Sequence, residues 1–146
     1  MHRLLILLPL LALTACATVG AGTVHIPGRA VVDWIEHLPY VPGEFDCSAK
    51  AALLVDYYHR HKLPALVVIV PAPRLLRYSH ALLLPHHAVV AVKTDGGWVL
   101  VDPTNRHNVD GLPAPVDLPF MGEAALAQEL AWAVEYLHSI GLEPPR

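Results

Sequence analysis

Three residues of this 146-residue chain stand where thiol chemistry could be built: Cys47, His87 and Asp102. Cys47 follows Asp46, a residue suited to capping a helix over 46–61, so its sulfur falls in that helix's first turn. Unpaired N–H groups and the helix dipole favour a thiolate there, and the thiolate is the nucleophile. The charge of Asp46 opposes this unless its carboxylate is engaged in capping. His87 opens one apolar run, HAVVAV, and Asp102 closes another, WVLVD. Between them Thr94-Asp95-Gly96-Gly97 is a hairpin signal. A four-residue loop pairs Lys93 with Trp98 and Val89 with Asp102, which makes His87 and Asp102 diagonal neighbours on one sheet face. A three-residue loop would separate them onto opposite faces. A carboxylate so placed accepts from one imidazole nitrogen and stabilises the imidazolium, leaving the other nitrogen for the thiol. His86 competes for the role, but strand alternation points it to the opposite face.

Cysteine usage sharpens the case for Cys47. The other cysteine, Cys16, ends the segment MHRLLILLPLLALTAC, in which Arg3 precedes an apolar stretch too short for a permanent membrane span. The ending Leu13-Thr14-Ala15-Cys16 resembles the lipobox of bacterial lipoproteins. That resemblance implies a signal peptide over 1–15, a lipidated Cys16 and a tether over 16–28. With Ala17 where an inner-membrane retention signal would lie, it also implies sorting to the outer membrane, facing the periplasm. Several acyl chains on one residue give stable anchoring to a lipid bilayer. An ordinary signal peptide with a cysteine at its end is the other reading. Either way Cys47 is left as a lone thiol in an exported protein, where oxidation is a hazard. Its bland explanation is an inert core residue.

The elements that must position these residues follow from periodicity. Residues 29–38 have apolar positions near helical spacing at Val31, Val32, Trp34, Ile35 and Leu38, closed by Pro39 and Pro42-Gly43. In the helix over 46–61, Ala51, Leu54, Val55 and Tyr58 face a core. ALVVIV at 65–70 reads as a buried strand, 71–85 as a proline-bounded loop with a helical turn around Leu75, and 87–92 and 98–102 as the hairpin strands. Residues 103–119 read as irregular, and 122–140 as an amphipathic helix with Leu126, Leu130, Ala133, Val134 and Leu137 on one face. The fold class is α+β, with N-terminal helices packed on a small antiparallel sheet and a C-terminal helix, in one domain over 29–146.

The stretch from Asp46 to Asn105 resembles the transglutaminase-like core found in many bacterial proteins. It carries a cysteine opening a helix (DCSAKAALLVDYY), a Leu-Pro-Ala and strand (KLPALVVIV), a His-initiated strand (HAVVAV) and a tryptophan-bearing strand ending in Asp-Pro-Thr-Asn (GGWVLVDPTN). The resemblance implies a papain-like fold with Cys47, His87 and Asp102 as triad. Two positions depart from the family pattern: Phe45 stands where glycine is common, and Ala91 where many members carry glutamate. An oxyanion site would combine the Cys47 backbone N–H with an upstream donor, for which Trp34 and Tyr40 are the candidates.

The expected activity is hydrolysis, by a thioester route, of a peptide or isopeptide amide in a protein or peptidoglycan-derived substrate, without a cofactor. The rivals are a protein-crosslinking acyltransferase and a non-catalytic envelope binding or scaffold module on the same fold. A net charge of −3 with no basic stripe argues against nucleic acid. Ten histidines invite a metal reading, but His59 and His61 fall on different helix faces, His86 and His87 diverge on a strand, and no HExxH or CxxC pattern occurs, so no metal is expected.

Overall fold

The computed structural model describes residues 25–71, 86–105 and 109–146. The expected signal segment, the expected lipidation position Cys16, most of the expected tether and the loop with its expected turn at Leu75 lie outside the described residues. Among the described residues there are three helices, α1 (Arg29–His37), α2 (Cys47–Arg60) and α3 (Glu123–Ser139), and three strands, β1 (Ala65–Pro71), β2 (His86–Thr94) and β3 (Gly97–Val101). The strands form one antiparallel sheet in the order β1-β2-β3. The architecture is α+β.

The central element is α2. Asp46 caps it from extended backbone, its carboxylate accepting the Ser48 N–H at 2.9 Å. Eight of its first nine residues, from Cys47 to Val55, have less than a tenth of their surface exposed, as does Tyr58. A helix apolar on nearly every side belongs inside a layered core. On one side Ala49, Leu53, Leu54 and Tyr58 join Val67, Val90, Val92 and Val101 of the sheet; Val32 and Ile35 of α1 and Ala133 and Leu137 of α3 complete that cluster. Leu126, Leu130 and Val134 of α3 pack against it half-buried, so the expected apolar face of the last helix is the one that docks.

The hairpin takes the expected register, Lys93 opposite Trp98, but with a tighter turn. Thr94 and Gly97 are themselves paired, leaving only Asp95-Gly96 as the loop. Neither Asp95 nor Gly96 takes a positive φ; Gly97, at +117°, supplies the glycine conformation that brings the chain back into β3. The change in loop length does not alter the parity of any residue.

The segment after β3, irregular by composition, closes the sheet. Residues 111–114 hydrogen-bond along the outer edge of β3, through Gly111 N–H to Leu100 O, Leu100 N–H to Leu112 O and Ala114 N–H to Trp98 O. Further on, Ile69 N–H donates to Pro119 O and Met121 N–H to Val67 O on the outer edge of β1. Val109, just before the first attachment, and Leu118, between the two, are buried against Val68, Val70, Val89, Ala91 and Leu100, a second apolar cluster on the face away from α2. One proline-rich segment thus covers the second face and occupies both free edges, which would otherwise present unpaired main-chain groups. Both faces being covered explains the unbroken apolar runs of β1 and β2.

Helix α1 is seated through Gly28, whose φ of +65° lies in the left-handed region. A Cβ there would come within 2.7 Å of the Tyr57 ring, which itself lies against His61 at 4.1 Å between centroids. Gly28→Ala is expected to destabilise the fold by about 1–3 kcal/mol, from backbone strain and the displaced ring together; a shift of the urea midpoint checks it.

Candidate active site

Cys47 is the first residue of α2 and is 8% exposed. Immediately upstream, residues 41–45 form a closed turn in which Val41 and Phe45 exchange N–H···O bonds of 2.8 Å. Phe45 is fully buried and stacks on Tyr136 of α3 at 4.5 Å between centroids. A large ring here locks the turn, and with it the start of α2, to the last helix. Ala91 is buried in the second cluster opposite Leu100, where a glutamate carboxylate would lie against apolar neighbours.

His87 and Asp102 are each 1% exposed. His87 Nε2 lies 2.8 Å from Asp102 Oδ2, the diagonal contact that the hairpin register requires. Asp102 stands one residue past the end of β3, and its second oxygen accepts the N–H groups of Thr104 at 2.8 Å and Asn105 at 3.0 Å. Its own N–H donates to Asp110 Oδ1 at 2.8 Å, and Asp110 is in turn paired with Arg29 at 2.7 Å. The carboxylate is held by its own turn, and the main chain of Asp102 by a link through Asp110 to the start of α1.

The remaining imidazole nitrogen, Nδ1, is buried and makes no hydrogen bond of ordinary geometry. It is the nitrogen left for Cys47, whose thiol lies close enough to act on the ring's protonation. Burial pushes the His87 pKa down; the Asp102 hydrogen bond, then hydrogen bonding to Cys47 and the charges of both partners, outweigh it and raise the pKa to about 9. The ring is thus an imidazolium over the neutral range, with one N–H directed at a carboxylate and the other free for the sulfur.

Tyr40, named from sequence as a possible oxyanion donor, joins this group. Its phenol pKa is raised, first by burial, then by negative charge at Cys47 and Asp46 and a hydrogen bond to the Cys47 side chain, while the Cys47 N–H acts in the opposite direction. The hydroxyl therefore neighbours both the thiol and the main-chain donor of Cys47. Trp34, the other candidate, packs half-buried against the main core cluster from α1. His86 is exposed. His59 meets the Ala65 carbonyl at 2.9 Å and His61 that of Tyr57 at 2.8 Å, so each has a local role. Among the described residues no group of three His, Cys, Asp or Glu side chains could hold a metal ion.

Lys50 escaped sequence reasoning. It lies one turn beyond Cys47, is 2% exposed, and its ammonium donates to the Leu38 carbonyl at 2.7 Å and the Glu36 carbonyl at 3.1 Å. Burial lowers its pKa, and the charges of Glu36 and Asp102 act against that fall. The side chain binds the C-terminal end of α1 to α2 and sets a positive charge near the buried Asp102. A lysine among Ala49, Ala51 and Ala52 gave only a weak signal, a charge inside an otherwise apolar helix. Asp110 had none, because its bond to the Asp102 main chain depends on the path of the segment beyond β3.

No protein-family model matches the chain, and no curated protein or solved structure is significantly similar to it. What the site can do rests on its own geometry. A thiol at a helix start, a charged imidazole and a buried carboxylate in series are the parts of a nucleophile with its general acid–base partner.

Two outcomes are expected. Lys50→Met leaves two buried carbonyls without a donor and should cost about 1–3 kcal/mol in urea denaturation. The His87 pKa is higher folded, about 9, than the ordinary 6.5, so its contribution to stability is complete below about pH 6.5 and is lost as pH rises through 9. Urea midpoints between pH 6 and 10 should fall accordingly in the native chain, and more shallowly in His87→Ala.

Proposed function

We propose that this chain is a cysteine-dependent hydrolase of the transglutaminase-like, papain-like kind, anchored in the cell envelope through Cys16 and cleaving a peptide or isopeptide amide. The observation that carries the reading is the buried His87–Asp102 pair, with the free imidazole nitrogen left to a cysteine at the start of a helix. The lipobox-like segment supports the location.

In the proposed reaction the Cys47 sulfur attacks the amide carbonyl and a C–S bond forms. The oxyanion is met by the Cys47 N–H and the Tyr40 hydroxyl, both beside the sulfur. The imidazolium of His87 gives its Nδ1 proton to the leaving amine as the C–N bond breaks, and a thioester remains. Water then attacks the thioester while the neutral His87 ring takes its proton; the C–S bond breaks, the acid departs, and the thiolate–imidazolium starting pair is restored. Asp102 holds the ring through Nε2 and stabilises its charge. Hydrolysis is preferred to crosslinking because water is the nucleophile at hand for a thioester in aqueous surroundings.

The near-burial of Cys47 favours one other reading, a non-catalytic module with an inert thiol. Alkylation separates the two. An active Cys47 should react rapidly with iodoacetamide at pH 7 and slow at least tenfold in His87→Ala; reaction only on unfolding would overturn the enzyme reading. Once a substrate is in hand, kcat/KM should persist to about pH 9 and decline above it, as the imidazolium that protonates the leaving amine is lost. Asp102→Asn removes the strongest influence holding that proton, so the decline should move to lower pH and kcat should fall roughly 10²–10⁴-fold. Tyr40→Phe should lower kcat about 10–10³-fold with little change in KM.

A further inference from the structure

A groove of about 370 Å³ lies between the 41–45 turn and α3, lined by Gly43, Glu44, Trp132, Glu135, Tyr136 and Ser139. Its volume suits one long side chain. A larger cleft, lined by His25, Leu63, Lys93 and the Asp95-Gly96 turn, is at the other end of β2 from His87 and has no part in the chemistry.

The smaller groove is tied to the site. Glu44 is three residues before Cys47, within about 11 Å along the chain, and the Tyr136 ring rests on Phe45, two residues before the nucleophile. Farther along α3, Glu129 feels the charge of Asp46, so the helix passes beside the start of α2. The lining combines an indole that is 49% exposed with two exposed carboxylates, Glu44 and Glu135, neither of which has an ion-pair partner among the described residues. No lining residue is cationic. An exposed aromatic face with unpaired carboxylates around it attracts an ammonium or guanidinium by cation–π and ionic contact together.

We infer that this groove binds a lysine- or arginine-type side chain of the substrate, within about three residues of the amide that Cys47 attacks. The spacing follows from the rise of an extended peptide, about 3.3 Å per residue. The inference rests on the reading of Cys47 as nucleophile and adds to it a substrate class: peptides with a positively charged residue near the scissile bond.

The test uses the purified full chain in detergent and three fluorescein-labelled peptide amides, trilysine, trinorleucine and triglutamate, followed by fluorescence polarisation at low salt. Trilysine should bind at least about tenfold more tightly than the other two and weaken as salt is raised. Glu44→Gln/Glu135→Gln and Trp132→Ala should each abolish that preference while leaving iodoacetamide labelling of Cys47 at its native rate. Equal binding of the three peptides to the native chain, or a lysine preference that survives both variants, would overturn the inference. If trilysine binds through these residues while Cys47 alkylates like a free thiol, the groove stands and the hydrolase reading falls. If Cys47 is reactive and the peptides bind alike, the reverse holds.

Discussion

The hydrogen bond between His87 and Asp102 is the interaction around which the rest of the candidate site is arranged. Both groups are almost wholly removed from water, where an unpaired carboxylate or imidazolium would be costly. The fold meets that cost with a complete set of partners. Two main-chain N–H groups and the ring satisfy the carboxylate, the Asp102 N–H is taken by Asp110, and Lys50 adds a positive charge from the helix that carries the thiol. A polar network of this kind rigidifies when fully satisfied and destabilises when one member is lost. The ring nitrogen facing away from Asp102 makes no hydrogen bond of ordinary geometry, and neither does the Thr104 hydroxyl in the turn that holds the carboxylate; of the two, only the nitrogen can exchange a proton with a thiol.

The site is also mechanically continuous with the two outer helices. Lys50 fastens the end of α1 to α2, Phe45 fastens the turn before Cys47 to α3, and Arg29 reaches Asp110 from the beginning of α1. Each contact crosses between elements far apart in sequence. A small domain has little apolar area to spare, and here polar bonds and one aromatic stack fix the position of the thiol relative to the imidazole.

Much of the site could be read in the chain. The Asp46 cap, the helix it begins and the hairpin register are local properties: a side chain reaching its own backbone, an apolar period, and a turn dipeptide whose length sets parity. Because parity alone decides whether His87 and Asp102 share a face, their pairing was legible even though the turn proved two residues long. Tyr40 was visible only as a nearby donor, and Trp34, equally plausible by type, went to the core because α1 presents it there. The role of Lys50 was hidden because a helical charge is ordinarily solvated, and its burial follows from α1 crossing over it.

By itself the sequence determined the α+β class, the order of the three candidate residues, and the carboxylate–imidazole pair, all consequences of short-range periodicity and turn geometry. Only the tertiary structure decided that Cys47 comes within electrostatic reach of the His87 ring. By strand parity His87 and Asp102 go with Val89 and Leu100, on the face away from α2, so no register argument could bring Cys47 to them. That meeting occurs at the end of the sheet, where the capped start of α2 reaches it. It depends on how a helix buried on nearly every side packs among two other helices and a sheet, and such long-range packing leaves no periodic trace in the chain.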